Sequence, residues 1–128
     1  MHENEISQIV FDAGLQVHRN LGPGLLESAY EECLYHELLK SGRYIEKQKP
    51  MPLVYEEVKL DIGYRLDFLL ERKVVVEIKS VEALNDIHLA QVLTYLKLSN
   101  CKLGLLINFN AALFKNGYRR ILNGNVAL

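Results

Sequence analysis

At 128 residues the chain is long enough for one domain with a single modest core, and a single domain over residues 1–128 is expected. Hydrophobic residues make up 49% and charged residues 24%, with a formal net charge of −1, which excludes a global basic field; nucleic-acid binding would have to come from local clusters. Cys33 and Cys101 lack a Cys-x-x-Cys spacing, which argues against a zinc site and for reduced core thiols. The acidic start Met1–Glu5 is unlike a signal peptide, and no apolar run approaches the ~18 residues of a membrane span, so a cytoplasmic protein with no membrane partner is expected.

Asn4 is placed to cap a first helix running to about Asn20, with Ile6, Ile9, Val10, Ala13 and Val17 as its buried stripe. Leu21-Gly22-Pro23-Gly24 breaks it, with Gly24 also able to permit close approach to a sheet. A second helix follows from Leu25 to about Lys40. Residues 27, 30, 34 and 38 share one stripe, so Glu27 aligns with Tyr30, Leu34 and Leu38. An acid in a first turn suits the helix dipole, by about 0.3–1 kcal/mol, but that does not explain a carboxylate on an apolar stripe. Tyr44 to Tyr55 reads as one or two edge-like extended segments interrupted by Pro50 and Pro52. Two strand-forming runs around Glu71-Arg72-Lys73 make a hairpin. Asn85 or Asp86 caps a third helix to about Ser99, Cys101 to Phe109 is a buried strand, and Gly117 to Leu122 is a short last strand or turn. The order α-α-β-β-β-α-β-β is that of an α/β (mixed α+β) protein, a sheet covered by helices.

The hairpin carries the chemistry. Pairing symmetric about Arg72 sets Asp67 across from Glu77 and Arg65 across from Lys79. Leu66, Phe68, Leu70, Val74, Val76 and Ile78 then share the other face. Directly opposed Cβ atoms lie roughly 4.5–5.5 Å apart, where like charges repel. Two carboxylates so held beside a buried sheet call for a cation such as Mg²⁺. Glu57-Val58-Lys59 and Glu71-Arg72-Lys73 repeat the Glu-x-Lys pattern of Glu77-Ile78-Lys79, but neither has an apolar strand leading in and an acid opposite. The competing reading is a solvated face of an amphipathic hairpin with a cross-strand ion pair.

On the third helix, Leu89, Val92, Leu93 and Leu96 form an apolar face and His88, Gln91 and Tyr95 an uncharged polar one, suited to hydrogen bonding with phosphate or water. A boundary stripe is the simpler explanation. His88 has no partner at metal-ligand spacing. Lys97, Lys102, Lys115, Arg119 and Arg120, with Arg65 and Lys79, could form a phosphate-binding rim. The tyrosines interleave poorly with these cations, so no single-strand stacking platform is indicated.

Gly24-Leu25-Leu26-Glu27-Ser28-Ala29-Tyr30 resembles the signature of the GxxExxY family, assigned to the PD-(D/E)XK nuclease-like superfamily. The resemblance continues through Gln48-Lys49-Pro50-Met51-Pro52-Leu53, Arg65-Leu66-Asp67, Glu77-Ile78-Lys79, His88-Leu89-Ala90-Gln91, Tyr95-Leu96 and Gly104–Phe109 to Arg119-Arg120-Ile121. It implies a restriction-endonuclease-like core with a central mixed sheet flanked by helices. Asp67 and Glu77 correspond to the two acids and Lys79 to the lysine, although Leu66 stands where the superfamily's name has proline. Glu27 resembles the first-helix acid of part of the superfamily, and Gln91 with Tyr95 the Gln-x-x-x-Tyr helix motif of its exonuclease-like branches. The expected function is metal-dependent hydrolysis of nucleic acid, DNA before RNA. Asp67, Glu77, the Ile78 carbonyl and Glu27 would hold Mg²⁺ or Mn²⁺, Lys79 would assist the attack, and Gln91, Tyr95, His88 and Arg65 would hold the strand. The alternative is a non-catalytic nuclease-fold module that binds nucleic acid or a protein partner. A homodimer and an accessory subunit of a larger complex both stay open, as does a hydrolase of another phosphate ester.

Overall fold

The computed structural model describes residues 1–128. Helix α1 spans Glu3–Leu21. Its cap is His2, not Asn4: the His2 ring Nδ1 accepts from the Asn4 N–H at 3.0 Å, and the Glu5 carboxylate accepts from the His2 N–H at 3.1 Å. This reciprocal pair satisfies two otherwise orphaned amides. Ile6, Val10, Ala13 and Val17 are buried as the stripe predicts, while Ile9 is half-buried. Helix α2 (Glu27–Leu39) packs beside α1 and buries Tyr30, Leu34 and Leu38.

Strands β1 (Ile45–Pro50), β4 (Arg65–Leu70), β5 (Val74–Lys79), β6 (Leu103–Asn108) and β7 (Tyr118–Leu122) form a sheet in the order β1-β4-β5-β6-β7. Only β5 and β6 are parallel, joined across the sheet by α3 (Asp86–Ser99). Strand β2 (Leu53–Tyr55) falls within the extended stretch expected to Tyr55. Two elements escape the sequence pattern: β3 (Val58–Leu60), which pairs with β2 as a separate arm inserted before β4, and a one-turn helix α4 (Phe114–Gly117) that precedes β7. Both are too short to show a periodicity.

The sheet has two covered faces. Phe68, Leu70, Val74, Val76 and Ile78 pack under α1 and α2 with Tyr30, Leu34 and Phe109; Leu69, Val75 and Leu106 pack under α3 with Val92, Tyr95 and Leu96. Cys101 belongs to the second core and Cys33 borders the first, both as free thiols. No helix is long and apolar enough to cross a membrane.

Leu66 does not join Phe68 on the α1–α2 face; it packs on the α3 side with Met51 and Leu69. Strand alternation is reset between them because the β1–β4 ladder pairs Lys47 with Phe68 and Lys49 with Leu66 but skips Gln48 and Asp67. Gln48 has a left-handed backbone, φ 52°.

Helix α3 sits hard against β6 at Gly104. A Cβ there would come within 2.7 Å of a Val92 methyl and 3.2 Å of a Leu96 methyl. Val92 is β-branched and cannot swing away cheaply. Gly104→Ala is therefore expected to destabilise the protein by about 1–3 kcal/mol, read as a lower denaturation midpoint. An unchanged midpoint would mean that α3 shifts freely on the sheet.

Candidate active site

The β4–β5 hairpin pairs as its sequence predicts, but only over part of its length. Phe68, Leu69 and Leu70 oppose Val76, Val75 and Val74, symmetric about Arg72. The turn residues Glu71 and Arg72 both have positive φ, 51° and 55°, the mirror-image geometry that suits the twist of a tight hairpin. Beyond Phe68 and Val76 the ladder stops. Arg65 therefore has a ladder partner only on the β1 side, Pro50, and is not paired with Lys79. That correction follows from the splaying of the two strands at the acids.

Side chains take over where the ladder ends. The Asp67 N–H donates to Glu77 Oε2 at 2.7 Å, and the Ile78 N–H donates to Asp67 Oδ2 at 2.8 Å. Each carboxylate thus caps an amide of the opposite strand, which brings the two acids together across the open end of the hairpin. N–H and C=O of one strand residue point to the same side. The Ile78 carbonyl is therefore directed toward the same gap, while its side chain lies in the core.

Helix α2 adds two more acids. The turn before it is held by Tyr30, which is fully buried and stacked on Phe109 with centroids 4.8 Å apart. Its hydroxyl donates to the Gly22 carbonyl at 2.5 Å and accepts from the Leu25 N–H at 3.1 Å. Ser80, next to Lys79, donates to the Leu25 carbonyl at 2.6 Å and ties this turn to the end of β5. Gly24 supplies a positive φ of 103°; a Cβ there would meet open space, so close approach to the sheet is not its purpose. Glu27 opens the helix and is exposed, within reach of the charges of Lys79, Asp67 and His88. Glu31, one turn on, reaches Asp67 and accepts from Gln48 Nε2 at 2.6 Å; the same nitrogen donates to Asp67 Oδ1 at 3.3 Å.

Glu31 and Gln48 are the site residues that sequence reasoning missed. Glu31 was visible in principle, since it follows Glu27 at i+4, a spacing at which like charges repel unless something answers them. Gln48 left no such signal, because its position depends on the distorted edge of β1.

The charges are out of balance. All four acids are raised from their ordinary values. Burial is the first cause for Glu77, which is only 4% exposed, and Asp67 and Glu27 raise it further; it lies well above its ordinary value. Asp67 is raised by burial, against the Ile78 amide, Gln48 and Lys79. Glu31 and Glu27 are raised by lost hydration and then by Asp67, with Lys47 and Gln48 opposing at Glu31 and Lys79 and His88 opposing at Glu27. Lys79 faces these acids but is in none of the direct ion pairs, which are Lys40–Glu37, Arg43–Glu71, Lys47–Glu32 and Lys49–Glu46. A solvated face with a cross-strand ion pair is not what this hairpin presents.

Helix α3 closes the other side, with its polar stripe divided. Tyr95 is largely buried among Val92 and Leu96, yet Glu77 and Asp67 help to raise its hydroxyl, after burial. Gln91 is exposed and shares with Tyr95 the wall of a cleft bounded by Leu53 and Tyr64. His88 serves the helix cap, its Nδ1 accepting from the Asn85 N–H at 3.1 Å. Leu93 is half-buried. Arg120 is occupied elsewhere: it donates to Ser7 and Asn4 of α1 at 2.8 and 2.7 Å, so it leaves the expected phosphate rim.

A mixed sheet flanked by helices, with two acids and a lysine gathered where one hairpin splays, defines a restriction-endonuclease-like fold. A family model of the PD-(D/E)XK nuclease superfamily matches residues 4–121, and the chain belongs to that superfamily. No curated relative matches it.

The superfamily generally uses divalent cations such as Mg²⁺ or Mn²⁺. No group of three His, Cys, Asp or Glu side chains is preassembled as a metal cage. The donor set nonetheless suits these ions, since Mg²⁺ takes one or two carboxylates and completes its shell with water and substrate phosphate. Buried Glu77 and half-buried Asp67 meet with no ion pair to neutralise them, which is what a cation would correct.

Proposed function

We propose that the protein is a metal-dependent nuclease that hydrolyses phosphodiester bonds, with DNA favoured over RNA as substrate. The observation that carries this is the crossed pair of Asp67 and Glu77, each bound to the other strand's backbone and left without a cationic partner. Asp67, Glu77 and the Ile78 carbonyl would hold Mg²⁺ or Mn²⁺, with Glu27 acting through water or on a second ion. When bound, the cation polarises a phosphoryl oxygen and makes a water more acidic.

The protein's own groups supply the rest. Lys79 lies at the end of β5, free of ion pairs, where its ammonium can orient the attacking water and face the charge that develops on phosphate. Gln48 fixes the carboxylates of Glu31 and Asp67 relative to one another. Gln91 and Tyr95 border the site from α3 and position the strand. His88 and Arg65 are second in line for that task, His88 through its nearness to Glu27 and Arg65 as an exposed cation at the start of β4.

Incubation with single- and double-stranded DNA and RNA, in Mg²⁺, Mn²⁺ and EDTA, tests the reading. Cleavage should appear with metal and vanish with EDTA; no cleavage of any substrate would favour a module that only binds. Lys79→Ala sharpens the test. It should lower the rate about 10²-fold while the rise in melting temperature on adding Mn²⁺ is kept, since Lys79 is not a ligand. Loss of that rise would assign Lys79 to metal binding instead.

A further inference from the structure

Beside Tyr95, on the α3 side of the sheet, lies a cleft that the metal chemistry does not use. Leu53 at the start of β2, Tyr64 just before β4, and Gln91, Thr94, Tyr95 and Leu98 of α3 enclose about 370 Å³. None of the six carries a charge, in contrast to the carboxylate site. Tyr95 is common to both: its ring walls the cleft, and its hydroxyl lies near enough to Asp67 and Glu77 to feel their charge. Tyr64 meets Tyr95 edge-on, with centroids 6.3 Å apart and planes at 62°, and it remains 42% exposed. An aromatic surface is therefore offered to the cleft without a partner. Polar groups are few and lie on α3. Gln91 brings an amide that can both donate and accept. The Thr94 hydroxyl donates to the Ala90 carbonyl and keeps lone pairs to accept with.

We propose that this cleft receives an unpaired nucleobase from the strand whose phosphate lies at Asp67 and Glu77. The proposal rests on the nuclease reading and names its substrate class: a strand that is single or frayed next to the cut. The two halves of a nucleotide divide between two unlike surfaces. Its charged phosphate suits the acid and cation site, while its flat, neutral base suits an uncharged wall of Tyr64, Tyr95 and Leu53. A base inside a duplex is stacked on both faces and cannot enter. Stacking on an aromatic ring tolerates any base, so little sequence preference is expected.

The test is an abasic scan. Short labelled DNA and RNA strands, each with one abasic residue moved stepwise along it, are bound to wild-type protein in Ca²⁺, which takes oxygen ligands, and followed by fluorescence anisotropy. One position should show a loss of about tenfold in affinity. Tyr64→Ala should erase that loss, and Tyr64→Phe should retain it. A free mononucleotide mixture at millimolar concentration should not displace the strand. A penalty that is absent, or unchanged in Tyr64→Ala, overturns the base site and leaves the nuclease reading standing. Displacement by free mononucleotide also overturns it, in favour of a nucleotide pocket. Failure of wild-type protein to bind any strand overturns both. Tyr64 is exposed and outside both cores, so its substitution leaves the fold intact.

Discussion

Asp67→Asn is expected to reduce metal-dependent cleavage by about 10²–10³-fold and to remove the stabilisation that Mn²⁺ gives the folded protein. Asp67 touches more of the site than any other acid: its two oxygens accept from Ile78 and Gln48, and its own N–H holds Glu77. In the asparagine variant, Oδ1 can still take the Ile78 amide, while Gln48 keeps its 2.6 Å donation to Glu31 and gives up only the longer one to residue 67. The geometry therefore survives while the charge does not. A cation that binds the folded site and not the unfolded chain stabilises by mass action, about 2.7 kcal/mol at a hundredfold excess over its dissociation constant. Melting wild type and variant with and without saturating Mn²⁺ separates the cases. Wild type should gain and Asp67→Asn should not, while the metal-free variant should melt at or above metal-free wild type. Equal gains in both would place the metal elsewhere.

Acidification should stabilise the metal-free site. The groups that face one another are Glu27 and Glu31 from α2, Asp67 from β4, Glu77 and Lys79 from β5, and His88 and Tyr95 from α3. All four acids have folded values above their unfolded ones. The native state therefore binds more protons between the ordinary carboxylate range, about 4, and the raised values, and stability there increases as pH falls. Above the raised values the penalty is complete; below the unfolded values it is gone. The clean measurement is a difference, in which every group outside the site cancels. Denaturation of wild type and an Asp67→Asn, Glu77→Gln double variant should show a gap in the variant's favour at pH 7–8 that closes toward pH 4. Saturating Mn²⁺ should cancel or reverse the gap. A gap independent of pH would mean that the two acids are not strained.

The elements with a long period, or a strong turn between two apolar runs, were legible in the sequence. The three long helices and the β4–β5 hairpin fall in this group, the latter with its symmetry about Arg72. Asp67, Glu77 and Lys79 were legible for the same reason, because strand alternation on either side of a fixed turn specifies neighbours. Alternation could not foresee its own interruption. Leu66 changed faces, and Arg65 is left unpaired with Lys79, because the β4–β5 ladder yields at Asp67 to hydrogen bonds from side chains. The division of the α3 stripe was hidden for another reason. Tyr95 is amphipathic, its ring in the core and its hydroxyl toward the acids, and a polar-or-apolar reading has to choose one.

The left-handed Gln48 has a second effect, on the outside of the molecule. Strand β1 is an edge of the sheet, and an unbroken edge is a template on which another chain can add a strand, the first step toward aggregation. Here the edge is bent at its centre by a positive φ, bears Lys47 and Lys49 on either side of the bend, and ends at Pro50, which has no N–H to offer. The opposite edge, β7, carries Arg119 and Arg120. The distortion that turns Gln48 toward the two carboxylates also denies incoming strands a continuous row of amides, so a replacement that straightened β1 would threaten solubility as well as the site.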